Sequence, residues 1–249
     1  MLDDVGMIAG DTSRSRAYLQ ALARNSLLPA HVLVLGQAYA GILPGQVDEA
    51  RKDPHSILPV EPDECWSEAH FDPTLSIVSQ LGALGISHEC FSTKDINDPV
   101  VVDAVRRRPE TTLIYSGFGG ALLRSEVLAT GKHFLHVHGG YLPDYKGSTT
   151  NYFSVLAENS LGASALFLNK EIDGGPVLLR RTFPRPSHPE AIDHVYDSGA
   201  RAKVLVDTLK RHVVSGHWEF ELPQNAGGET YYVIHPVLKH IAILAQPER

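Results

Sequence analysis

Cysteine is scarce: Cys65 and Cys90 are the only two in 249 residues. They form no C-x-x-C pair, which argues against a thiolate zinc site. Two thiols suit the reducing cytosol, although one disulfide stays open on composition alone. Basic residues do not predominate, with 22 Lys and Arg against 29 Asp and Glu and a net charge of -7. That balance predicts no nucleic-acid surface. No apolar run approaches the length of a membrane span. The opening MLDDVGMIAGD is acidic and too poor in apolar residues to read as a secretory leader. Repeats and low-complexity tracts are also missing. The expectation is a cytoplasmic protein that binds neither membrane nor nucleic acid.

What is present is an ordinary globular composition, 43% hydrophobic and 20% charged. The length fits one α/β domain with at most a small appendage. Short apolar runs, VGMIAG (5–10), AHVLVLGQ (30–37) and TTLIYSGFGG (111–120), lack the alternation of a one-sided strand. They read as strands covered on both faces. Between them lie helical patterns at 11–25, 73–85 and 98–110, and Asp11, Thr12 or Ser13 suits the first cap. SHECFST (87–93) and HFLHVHGG (133–140) read as further strands, and 121–132 as a short helix or turn. Residues 38–70, with Pro44, Pro54, Pro59 and Pro62, read as a long loop or mobile insertion. A helix begins near Thr149. GASALFLN (162–169) and GPVLLRRTFP (175–184) predict a hairpin, and a long amphipathic helix lies in 189–216. Short strands or turns and a last short helix follow.

Strands alternating with helices predict a mainly parallel, twisted sheet with helices on both faces. Ligands in such folds sit at the carboxyl ends of strands. Here those ends are Gly117–Gly120 and His138–Gly140, which the pattern predicts to be neighbours. The second end belongs to FLHVHGGYLPDYKG (134–147). His136 and His138 are two apart on a strand, so they share one face. Three readings stand: a metal pair completed by Asp173, an acid/base pair, or two polar residues satisfied by backbone.

LHVHGGYLPDYKG followed by GASALFLNKEIDGGPVLLRR resembles the folate-dependent formyltransferase family. His138 matches the family histidine, Leu142-Pro143 its Leu-Pro, Lys146-Gly147 its basic-Gly pair, and Asp173 its catalytic aspartate. The matching core covers roughly residues 111 to 183. The late GGETYY (227–232) resembles a Gly-x-Thr-Tyr turn of many relatives. Two positions depart. His136 stands where the family keeps asparagine, and Leu166 where some relatives carry histidine.

The resemblance implies a Rossmann-like formyltransferase fold over 1–215 and a short C-terminal extension over 216–249. It implies transfer of a formyl group from N10-formyltetrahydrofolate to the primary amine of a small molecule, with no metal. His136 would hold the developing oxyanion, and His138 with Asp173 would manage protons. It implies folate binding by Gly117, Phe118, Gly119, Gly120, Ala121 and Leu122, and by Asn169, Lys170, Glu171 and Ile172. Tyr141, Lys146, Ser148, Thr149 and Thr150 would meet the amine substrate, with one hydroxyl also suited to cap the helix. Length and acidity disfavour methionyl-tRNA, which leaves a nucleotide-linked amino sugar as the expected acceptor. A homodimer is compatible with all of this. The alternatives are a formyl hydrolase and a metal-dependent enzyme built on His136, His138 and Asp173.

Overall fold

The computed structural model describes residues 2–37 and 64–245. Residues 38–63 of the expected long loop lie outside that description, and Glu64–Ala69 is a 3-10 helix. The described chain divides into two compact units, residues 2–37 with 72–134, and residues 64–71 with 135–245. The strands of the main sheet are β1 (Val5–Gly10), β2 (Val32–Leu35), β3 (His88–Phe91), β4 (Thr112–Ser116), β5 (His133–His138), β7 (Ser160–Phe167) and β8 (Val177–Pro184). Their order is β3-β2-β1-β4-β5-β7-β8.

In the first unit, β1 runs parallel to β2 and β4, and β2 parallel to β3. Every residue of β1, β2 and β4 is buried. This explains the unbroken apolar runs: neither face meets water, so alternation has no purpose. Met7, Ile8 and Ile114 have no exposed surface, and each such side chain contributes about 1.5–3 kcal/mol on burial. β3, as short as β2, is more exposed, as an edge strand should be. The helices are α1 (Ser13–Arg24), α2 (Ile77–Leu84), α3 (Pro99–Arg107) and α4 (Ser125–Leu128). Local chemistry sets their starts. Of the three cap candidates, Thr12 accepts from Ser15 N. Asp98 accepts from Val100 N, with Pro99 at the first helical position.

In the second unit, β7 pairs antiparallel with β5 and with β8, forming the expected hairpin. β7 is buried from Leu161 to Phe167, a stretch that includes the small residues Gly162, Ala163 and Ala165. A separate parallel pair joins β6 (Tyr145–Gly147) to β9 (Glu229–Tyr231). The helices are α5 (Thr150–Glu158), α6 (Asp197–Ser215) and α7 (Pro236–Leu244). The long helix expected within 189–216 is α6, which begins at Asp197. A 3-10 turn and a π turn, Ile192–Tyr196, precede α6. Trp66 stacks on Phe183 and meets Tyr196 edge-on, with ring centroids 5.3 and 4.9 Å apart. Residues 216–245 belong to this unit. Among the described residues no helix is long and apolar enough to cross a membrane.

Candidate active site

The carboxyl end of β5 delivers His138 into the interior of the second unit, where 5% of the residue is exposed. Its ring nitrogens meet two acceptors. Nε2 lies 2.8 Å from the Tyr145 carbonyl oxygen. Nδ1 lies 3.5 Å from Asp173 Oδ2. A carbonyl only accepts, so Nε2 carries the ring proton and donates it. Burial pushes the proton affinity of His138 below the ordinary imidazole value. The Asp173 charge opposes that shift and the Arg201 charge adds to it, with the net direction downward. The neutral ring therefore turns a lone pair toward the Asp173 carboxylate. Only the imidazolium form donates on both sides.

Asp173 follows β7 in a tight turn and takes a left-handed backbone with φ of 49°. Its Oδ2 accepts from Gly147 N at 2.8 Å. Gly147, on β6, is next to the Lys146 that matched the family's basic-Gly pair. The two halves of the motif, separated by 26 residues, thus meet through a backbone N–H and a carboxylate.

The end of β5 and the turn after it are held on their carbonyl oxygens by side chains from four elements. Val137 O accepts from Arg201 Nη1 at 2.9 Å. Gly139 O accepts from Thr150 Oγ1. Gly140 O accepts from Ser164 Oγ at 2.7 Å, and Leu142 O from Arg180 Nη1 at 2.8 Å. Ser164 Oγ also accepts from Leu142 N at 3.0 Å. The Gly-Gly pair is required by crowding. A Cβ on Gly140 would fall 2.7 Å from His138 Nε2 and near the Tyr145 carbonyl.

The other residues singled out in the sequence take these places. His136 is half-buried and opposes Leu166 on β7. Arg180 lies over the Tyr141 ring, 4.7 Å from its centroid. Lys146 is half-buried on β6 opposite Thr230. Ser148 N donates to Tyr231 O at 2.9 Å. Thr149 adopts φ of 54° at the start of α5, where no side chain caps the helix. The expected hydroxyl cap is absent because Thr149 Oγ1 turns to Ser148 O and Thr150 Oγ1 to Gly139 O. Asn169 Oδ1 accepts from Glu171 N at 2.9 Å, and Lys170, Glu171 and Ile172 are exposed.

The stretch after β4 lies in the first unit. Gly117 O accepts from Arg14, and Leu122 O accepts from Asn97 at 2.9 Å. The Phe118 ring fills the space beside Gly10 and Gly36, with Lys94 Nζ 5.2 Å from its centroid. Gly119 and Gly120 are exposed, Ala121 is half-buried, and Gly120 has φ of 78°. Among the described residues, no three His, Cys, Asp or Glu side chains gather as a metal ion needs, so His136, His138 and Asp173 do not converge on one point.

Sequence reasoning missed the Tyr145 carbonyl, Ser164, Arg180 and Arg201. A carbonyl has no sequence signal. Ser164 is one small residue inside a strand. Arg201 follows Asp197 by four, which reads as a surface helix pair.

The mainly parallel sheet with β7 and β8 antiparallel at its edge is the fold of the N-formyltransferases. The sugar N-formyltransferase of a Shewanella species superposes with a TM-score of 0.56 and 13% identity, over 96% of this chain and 86% of that one. An N-formyltransferase from Helicobacter canadensis, in complex with folinic acid and dTDP-3-aminofucose, superposes with a TM-score of 0.55 and 12% identity, over 92% and 70%. In sequence the chain is 26% identical over 149 residues to the methionyl-tRNA formyltransferase of Chlorobium phaeovibrioides, covering 58% of this chain and 44% of that enzyme. The chain thus spans less than half of that curated relative. No family model matches it. In sequence and in fold the chain resembles the formyltransferases.

Proposed function

We propose that this chain is an N-formyltransferase that moves a formyl group from N10-formyltetrahydrofolate to the primary amine of a nucleotide-linked amino sugar. The observation that supports it most is the pairing of His138 with Asp173 at the β5 tip, with Gly147 N holding the carboxylate. By the sequence resemblance, His138 and Asp173 match the family's histidine and its catalytic aspartate. The sugar acceptor is supported by the structural likeness to sugar N-formyltransferases. The curated likeness is to enzymes of methionyl-tRNA, and the net charge of -7 weighs against a tRNA acceptor.

In this reading N10-formyltetrahydrofolate supplies the formyl group. A bond forms from the amine nitrogen to the formyl carbon, and the bond from that carbon to N10 breaks. His136 donates a hydrogen bond to the formyl oxygen as it becomes negative. The amine's proton passes to the Asp173–His138 pair and from there to N10, so no proton is gained or lost. His138 Nδ1 suits this relay, because its lone pair already faces the carboxylate. The segments 117–122 and 169–172 would bind the folate, and Tyr141, Lys146, Ser148, Thr149 and Thr150 would border the amine. We assign residues 1–215 to catalysis and 216–249 to an extension whose β9 pairs with β6.

The test incubates the protein with N10-formyltetrahydrofolate and a panel of dTDP- and UDP-linked amino sugars. Formation of tetrahydrofolate that depends on the amine is expected, with loss of at least about 100-fold in His138→Ala. Formate release without any amine would replace transfer by hydrolysis. Absence of a thermal shift with excess 5-formyltetrahydrofolate would overturn the folate reading.

A further inference from the structure

The Asp197–Arg201 pair lies directly behind the histidine turn, and the mechanism above does not use it. Arg201 Nε donates to Asp197 Oδ2 at 2.8 Å, and its Nη1 donates to Val137 O at 2.9 Å, one residue before His138. Asp197 Oδ1 accepts from Asn151 Nδ2 at 2.8 Å. Asn151 is 4% exposed, and its Oδ1 accepts from Gly162 N on β7 at 2.9 Å. The network therefore joins β5, β7, α5 and α6. Gly139 completes it: a Cβ there would collide with both Asp197 Oδ1 and Arg201 Nη2. The π turn Ile192–Tyr196 ends at Asp197, the residue that begins α6. Such turns insert one extra residue and re-aim the side chains that follow. A helix pair used only for surface charge would need neither an Asn clamp nor a glycine cleared for it.

We propose that Asp197, Arg201 and Asn151 form a positioning network that fixes the backbone beneath His138 and sets the electrostatic balance at its ring. None of the three touches reacting atoms. The reading of His138 as the proton-handling group rests on the proposed function, whereas the coupling to its ring does not. The charged groups facing that ring are Asp173 from the turn after β7, and Arg201 and Asp197 from α6, with the Tyr145 carbonyl from β6 at Nε2. The Arg201 charge disfavours the imidazolium and the Asp197 charge favours it. The two partners therefore pull His138 in opposite directions, with the Arg201 charge the larger of the two.

The experiment is a proton-NMR titration of the His138 ring, identified by the signal missing in His138→Gln. It compares the unchanged chain with Asp197→Asn, Arg201→Gln and the double variant. Asp197→Asn is expected to lower the His138 titration midpoint, and Arg201→Gln to raise it by a larger amount. The double variant should fall between the two single variants. Shifts of one sign, or none, in variants with native circular dichroism would overturn the proposal, because a merely structural role cannot give opposite signs. Should Asp197→Asn or Arg201→Gln fail to fold, Arg201→Lys decides. It keeps the charge and loses the forked contact, so kcat should fall about tenfold or more with KM within about twofold. Unchanged kcat in Arg201→Lys would overturn the positioning role. The titration needs no substrate, so it stands even if the formyl-transfer reading fails.

Discussion

The hydroxyl oxygen of Thr149 accepts a hydrogen bond from Ile234 N at 2.8 Å, across 85 residues of chain. This contact ties the segment after β9 to the start of α5, beside β6 with Tyr145 and Gly147. Ser148 N and Tyr231 O form a second tie nearby, at 2.9 Å. Gly228, with φ of 88°, packs so closely on the Pro143 carbonyl that no Cβ fits. A Gly228→Ala variant is expected to lower the melting temperature by several degrees and to weaken catalysis with it. Differential scanning calorimetry alongside turnover checks this. A variant with native stability and activity would show that the late segment does not support the site.

His136 stands where relatives keep asparagine, and either side chain can donate one hydrogen bond. Replacing His136 by Asn should preserve transfer to within about tenfold, whereas His136→Ala should lose about 100- to 1,000-fold in kcat. Steady-state kinetics of the two variants, run in parallel, separate an oxyanion donor from a residue that only packs. Equal losses would remove the oxyanion role.

Burial holds the proton affinity of His138 down in the folded state. The unfolded chain, whose imidazole titrates near pH 6.5, binds more protons below that pH. Stability from this residue is therefore fully present above about pH 6.5 and is lost as the pH falls toward the lower folded-state value. Urea midpoints measured between pH 5 and 8 should drop on the acid side, and His138→Gln should flatten that slope. An unchanged slope in the variant would assign the acid sensitivity to other groups.

Ser164 is fully buried, and its hydroxyl serves both Gly140 O and Leu142 N. Ser164→Ala leaves two backbone groups of the histidine turn unpaired. A loss of about 1–3 kcal/mol is expected in chemical denaturation, with kcat reduced because the turn loosens. Ser164→Thr keeps the hydroxyl and tests whether the added methyl fits.

Much of the fold was legible because its causes are local. The continuous apolar runs of β1, β2 and β4 announce strands covered on both faces. Thr12, Asp98-Pro99 and the left-handed Gly85 mark helix ends by their own backbone chemistry. The pairing of His138 with Asp173 was legible only through the family resemblance, since nothing in the spacing of 35 residues predicts it. The start of α6 was not legible, because the apolar pattern of 189–196 continues the helical one. Tertiary packing around Trp66 and Tyr196 accompanies the π turn there.

By itself the sequence determined a mainly parallel α/β chain with two histidines at a strand tip, because burial on both faces and side-chain alternation are properties of short stretches. The family resemblance already gave the two histidines different roles, and only the tertiary structure decided their surroundings. His138 is enclosed between the Tyr145 carbonyl and the Asp173 carboxylate, while His136 stays half-exposed opposite Leu166. The reason is that proton affinity depends on burial and on charges brought from distant parts of the chain, and no local pattern encodes either.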